Sequence, residues 1–232
     1  MLTVDAITHI MIGALMVILL IVAIRQLRRK FSSYGLIIVA LIIGLIYENL
    51  ILGVGGLIGY GETLKTLNTP RFISHAVFTP MLIIYAFGMA RMAGLKWAQS
   101  RAWHFAFCVL ATGLIAFGAF QDILNLKLVP YEAGAQVPGY RNDFALLKGP
   151  PIPAVSAILV VIVVGVLLLW RRRWGWLLAG GALMLVGAML MLRFPLGGNL
   201  GELVLGLAIV ATYLAAERGA LRAPQTAQTA PA

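Results

Sequence analysis

Residues 153–170 read PAVSAILVVIVVGVLLLW and residues 174–192 read WGWLLAGGALMLVGAMLML, with Arg171, Arg172 and Arg173 between them. Neither run holds an ionisable side chain, and each approaches the roughly 20 apolar residues a helix needs to cross about 30 Å of hydrocarbon. Two such runs around an arginine triplet read as a pair of membrane-spanning helices joined by a loop that stays on the cytoplasmic face. The rest of the chain repeats the pattern. With 61% hydrophobic and 11% charged residues in 232, and a mean hydropathy of +0.95, there is too little polar surface for a water-soluble domain.

Seven runs are expected as spans, at 7–24, 35–59, 72–94, 102–121, 152–170, 174–192 and 198–216. Unpaired amides are costly in hydrocarbon, and the runs are long rather than alternating, so helices are expected rather than a barrel. The fold class is all-α, a seven-helix integral membrane bundle in one domain over residues 1–222. The tail 223–232, APQTAQTAPA, is expected to be disordered.

The net charge of +10 does not form a nucleic-acid patch, and no nucleic-acid partner is expected. Arg25, Arg28, Arg29, Lys30, Arg91, Lys96, Arg101, Arg171, Arg172, Arg173, Arg218 and Arg222 are 12 of the 18 basic residues, and all fall in alternate loops and the C-terminal segment. That asymmetry puts the N-terminus outside and the C-terminus in the cytoplasm, and a bacterial cytoplasmic (inner) membrane is the expected location. All five tryptophans lie on the same proposed inner side, where an amphipathic ring suits the headgroup zone. The first run follows Asp5 and precedes its arginines, the reverse of a secretory signal, and is expected to be retained. Cys108 is the sole cysteine, so no internal disulfide can form.

Two connections face outside: a modest loop at 60–71, YGETLKTLNTPR, and a long one at 122–151 with the length of a lid or a solvated connector. Beneath them the spans carry polar groups. Glu48 and Asn49 interrupt the second run, where a carboxylate must turn inward and find a partner. Arg71, His75 and Thr79 recur at i, i+4, i+8 on one face of the third, with Ser74 beside them. Pro80 below them is expected to kink that helix and widen the space above. Gln121 and Asp122 end the fourth, Arg193 ends the sixth, and Asn199 and Glu202 open the seventh. The spacing of His104 and Asp122, extrapolated at 3.6 residues per turn, puts both on one helix face.

These groups can line one outward-opening pocket, or clasp helices in register as ion pairs, for example Glu48 with His75 or Arg71, and Asp122 or Glu202 with Arg193. As a pocket, Glu48, His75 and Asp122 are the candidate catalytic groups. Asn49, Arg71, Gln121, Arg193, Asn199 and Glu202 are the candidate substrate-binding ones. His9, His75 and Glu48 make a metal site only if the first three runs meet there, and no HxxxH or cysteine-rich pattern supports one, so neither metal nor cofactor is expected. No lysine lies inside the seventh run, which argues against a retinal Schiff base. Gly55–Gly59 and Gly197–Gly201 have GxxxG spacing, read as close helix packing.

In span count, chain length and the position of two acids, Glu48 in IYENLI and Glu202 in GNLGEL, the layout resembles the small seven-span membrane-bound terpene cyclases. The resemblance implies acid–base chemistry on a lipophilic isoprenoid or lipid. The alternatives are a small transporter, channel or receptor using the same polar cluster, and a nonenzymatic scaffold or assembly factor. Membrane lipids and a lipophilic small molecule are the expected partners, and the oligomeric state is left open.

Overall fold

The structure is a computed structural model that describes residues 2–133, 137–144, 151–191 and 193–222. The tail 223–232, expected to be disordered, and parts of the long outer connection lie outside the described residues. Seven α-helices follow in order: α1 Val4–Arg29, α2 Ser33–Ile58, α3 Glu62–Met92, α4 Arg101–Ala119, α5 Ile152–Arg172, α6 Trp176–Leu190 and α7 Gly197–Glu217. Six are long and apolar enough to cross a membrane, α4 together with the turn that continues it; α6, at 15 residues, is the shorter apolar helix.

α1 packs on α2 and α7, α2 on α3, α3 on α5, α5 on α6 and α6 on α7, so that six helices close a ring. α4 stands outside it against α3, with 11% of its apolar window buried. Small residues permit the tightest contacts. A Cβ on Gly197 would come 2.6 Å from the Gly187 carbonyl, so α6 and α7 meet backbone to backbone. The lower part of the ring is filled by Leu82, Ile83, Tyr85, Phe87, Ile209 and Tyr213, each at most 1% exposed. Tyr85 Oη donates to the Ile209 carbonyl at 2.7 Å and ties α3 to α7.

Three features depart from the expectation. First, the 60–71 stretch is not a loop: after the turn at Gly59–Gly61, α3 begins at Glu62 and runs unbroken through Pro70 and Pro80. Leu64 and Asn68, one turn apart, are fully buried and give this extension its inner face. Second, the bundle is all-helical as expected, but the long connection is not wholly irregular and carries one hairpin. β1 Leu128–Ala133 pairs antiparallel with β2 Val137–Asn142, Val129 opposite Arg141 and Glu132 opposite Pro138. A lone two-stranded hairpin is marginal in water, and this one is supported by packing on α2 and α3. A Cβ on Gly55 would strike the Pro138 carbonyl, so Gly55 seats the hairpin rather than a neighbouring helix. Third, α4 ends in a π-helical turn, Phe120–Leu124. Its extra residue per turn breaks the His104–Asp122 register, and His104 instead stacks on Phe87 at 5.4 Å.

At the end of the bundle away from the hairpin, Lys30 pairs with Glu217 at 2.9 Å and Arg172 Nε donates to the Ala93 carbonyl at 2.8 Å, closing the end of α3. Trp174 Nε1 donates to Thr212 Oγ1 at 3.0 Å. The basic loops gather here, and we call it the basic end.

Candidate functional site

Consecutive residues on a helix point about 100° apart, and α2 uses that to send two polar groups to different neighbours. Asn49, fully buried, turns to α1: its Oδ1 lies 3.1 Å from His9 Nδ1, and its Nδ2 donates to the Leu45 carbonyl at 2.9 Å. Glu48, 7% exposed, turns to α3.

There the i, i+4 spacing delivers two donors to one carboxylate. Arg71 Nη2 donates to Glu48 Oε1 at 2.8 Å, and His75 Nε2 is hydrogen-bonded to Glu48 Oε2. The guanidinium is steadied from the turn above, where Nη1 donates to Asn68 Oδ1 at 2.6 Å, and Asn68 Nδ2 donates to the Leu64 carbonyl at 2.8 Å. Below, Thr79 Oγ1 stands 3.3 Å from His75 Nδ1. α7 adds a second acid: Glu202 Oε1 is 3.9 Å from the same His75 Nε2, while Glu202 Oε2 is buried without a hydrogen-bond partner among the described residues. The two carboxyls of α2 and α7 thus flank one imidazole nitrogen. Taking two carboxylates and a guanidinium out of water is costly, and mutual pairing with full hydrogen bonding is what offsets it. Glu48 meets that condition at both oxygens, and Glu202 does not.

Above the cluster, two cavities meet. One of about 310 Å³ lies between α1, α2, α7 and the hairpin, its walls including Asp5, His9, Tyr140, Arg141 and Asn199. The other, about 430 Å³, lies between α3, α4 and α5, its walls including His75, Phe117, Gln121, Asp122 and Phe144. Both share Glu48, Arg71, Phe72 and Met191. The hairpin contributes to both walls and is pinned at each side. Gly61 N–H donates to Tyr140 Oη at 3.1 Å, and that hydroxyl lies 3.2 Å from the Gly61 carbonyl. Asn142 Nδ2 donates to Asp122 Oδ1 at 2.9 Å and to the Gln121 carbonyl at 3.0 Å.

Of the sequence candidates, then, Glu48, Arg71 and His75 come together in one hydrogen-bonded group, with Glu202 Oε1 3.9 Å from His75 Nε2. Gln121, Asp122 and Asn199 line the cavities above it, and Asn49 joins α2 to α1. Arg193 is exposed and pairs with no acid among the described residues, so the Arg193 clasp expected with Asp122 or Glu202 is not formed. Asn68, Asp5 and the hairpin residues Tyr140, Arg141 and Asn142 were not anticipated. For Asn68 a signal existed, since it sits three residues before Arg71 on the same helix face.

Glu48, His75 and Glu202 offer one metal-ligating atom each, all within 4.8 Å of one another. Arg71, however, already occupies one oxygen of Glu48, and a divalent ion would sit beside that fixed positive charge. His9 takes no part, being turned to Asn49. The arrangement suits proton transfer between imidazole and carboxylate better than Lewis-acid chemistry. No protein-family model matches this chain, and no curated protein matches it.

Proposed function

We propose that this protein is a membrane-embedded enzyme that acts by acid–base chemistry on a lipophilic molecule held between the hairpin and the Glu48–His75 pair. One observation carries the reading: a proton-bearing pair, Glu48 and His75, faces a cavity whose other walls include the rings of Phe72, Phe117 and Phe144. A hydrocarbon body fits such walls, and Asp122, Gln121 or Asn199 can hold a polar end. Arg71 fixes the Glu48 carboxylate in place, and His75, standing between the acids of α2 and α7, is the group through which a proton reaches or leaves the guest. A proton-initiated rearrangement takes up one proton and releases one, so it needs no co-reactant. The meeting of these two acids at His75 favours the chemistry implied by the resemblance to terpene cyclases.

A through-path for transport has less support, because the ring below Thr79 is filled by the large buried side chains of the core. The charge asymmetry supports a hairpin end that faces outside and a basic end in the cytoplasm.

The test is incubation of the detergent-solubilised protein with a bacterial lipid extract and with linear prenyl alcohols, followed by mass spectrometry. A new product, lost in Glu48→Gln and His75→Ala variants that still purify as folded protein, is expected. Unchanged substrates, or a product that persists in both variants, would overturn the proposal.

A further inference from the structure

At the opposite end from this site, α4 and α5 diverge. They are joined through the long hairpin-bearing connection rather than a short loop, and at this end α4 leans on α3, where His104 stacks on Phe87 at 5.4 Å. The gap leaves an apolar groove of about 410 Å³, walled by Trp97, Trp103 and Phe107 on one side and Val160, Val163 and Leu167 on the other. Trp97 and Leu167 also wall a second hollow of about 540 Å³, whose charged residues are Lys96, Arg171 and Arg172. An oily slot therefore runs into a basic one.

The basic hollow is short of acid. Glu217 is the only acidic residue at this end among the described residues, and it is taken by Lys30. Lys96 and Arg171 are exposed and have no carboxylate partner among the described residues. Arg171 is held 4.5 Å over the ring of Trp170, and Arg172 is fixed on the carbonyls of Ala93 and Gly94 with further N–H donors to spare. Three cations are thus arranged at one mouth of a groove whose walls are apolar side chains.

We infer that this paired groove and hollow bind one anionic phospholipid of the adjoining leaflet, an acyl chain lying between α4 and α5 and the phosphate on Lys96, Arg171 and Arg172. A hydrocarbon chain continuous with a negative head is the ligand whose two halves match the two slots, and basic pockets between spanning helices are suited to such headgroups. The lipid supplies the packing that α4 lacks from protein.

Native mass spectrometry of the full chain in detergent, titrated with dioleoyl phosphatidylglycerol or dioleoyl phosphatidylcholine, tests this. The anionic lipid is expected to bind roughly tenfold more tightly, a preference abolished by Lys96→Gln with Arg171→Gln but kept by the control pair Arg25→Gln with Arg28→Gln. Val163→Trp, which fills the groove, should weaken both lipids, and glycerol 3-phosphate should displace neither. Equal binding of the two lipids, equal loss in both charge pairs, or displacement by glycerol 3-phosphate would overturn the inference. Each variant's melting temperature, measured without added lipid, separates loss of the site from loss of the fold.

Discussion

Arg71 and Glu48 lie on different helices, 2.8 Å apart, their side chains alone 13% and 9% exposed, so each is a counter-charge that helps the other to remain buried. Removing Arg71 leaves His75 as the one remaining partner of Glu48, at a cost of about 2–3 kcal/mol for the charged hydrogen bond lost. Arg71→Met should lose that much stability against denaturant in detergent, while Arg71→Met with Glu48→Gln should recover much of it. Additive losses in the double variant would show that the two side chains act separately.

Glu202 differs from Glu48 in having one oxygen without a partner. Replacing a carboxylate that is half unsatisfied gives up little hydrogen bonding, so Glu202→Gln should shift stability by less than about 1 kcal/mol, against about 2 kcal/mol for Glu48→Gln. Parallel thermal melts distinguish them, and equal losses would contradict the asymmetry.

The hairpin rests on Gly55 and on the Tyr140–Gly61 hydrogen bonds. Tyr140→Phe removes them, and amide exchange across residues 137–142 should accelerate about tenfold while the buried middle of α3 is unaffected. Hydrogen exchange with mass spectrometry reads both segments at once. Uniform acceleration would mean the hairpin is part of the core rather than seated on it.

α6 and α7 meet at Gly187 and Gly197, whereas nothing lies within 4 Å of a Cβ built on Gly113 of α4. Gly187→Ala should cost about 1–3 kcal/mol by overpacking. Gly113→Ala should gain up to about 1 kcal/mol of helix propensity. The opposite signs are visible in paired melts.

A reporter inserted at residues 134–136, between the two strands, should read non-cytoplasmic, and one placed after Arg222 cytoplasmic. The reverse result would invert the orientation and put the Glu48 site on the inner side.

The helices were legible because uninterrupted apolar runs have few alternatives, and the Glu48–His75–Arg71 association because i, i+4 spacing on α3 and one intramembrane acid on α2 are strong constraints. The start of α3 was hidden by low hydropathy and by Pro70, both of which read as loop. Its helical signal is short-range: Glu62 paired with Lys65 at 3.2 Å, and the buried pair Leu64 and Asn68. The hairpin was illegible for a different reason. Pro130, Pro138 and Gly139 dilute strand propensity, and what holds the strands is tertiary, a glycine on α2 and a tyrosine hydroxyl on a turn. Asp122 was misaligned with His104 because a constant 3.6-residue period cannot foresee a π turn.

That turn leaves Asp122 at the end of the one helix that stands outside the ring. The resistance of an element to displacement follows the packing it would lose, and α4 has the least to lose. The cavity is therefore built from unequal materials: Glu48 and His75 stand on helices of the ring, while Gln121 and Asp122 stand at the end of the one helix outside it, tied back to the hairpin through Asn142. If the proposed guest binds there, a change in its bulk falls on the wall with the least packing, and the Glu48–His75 pair keeps the support of the ring.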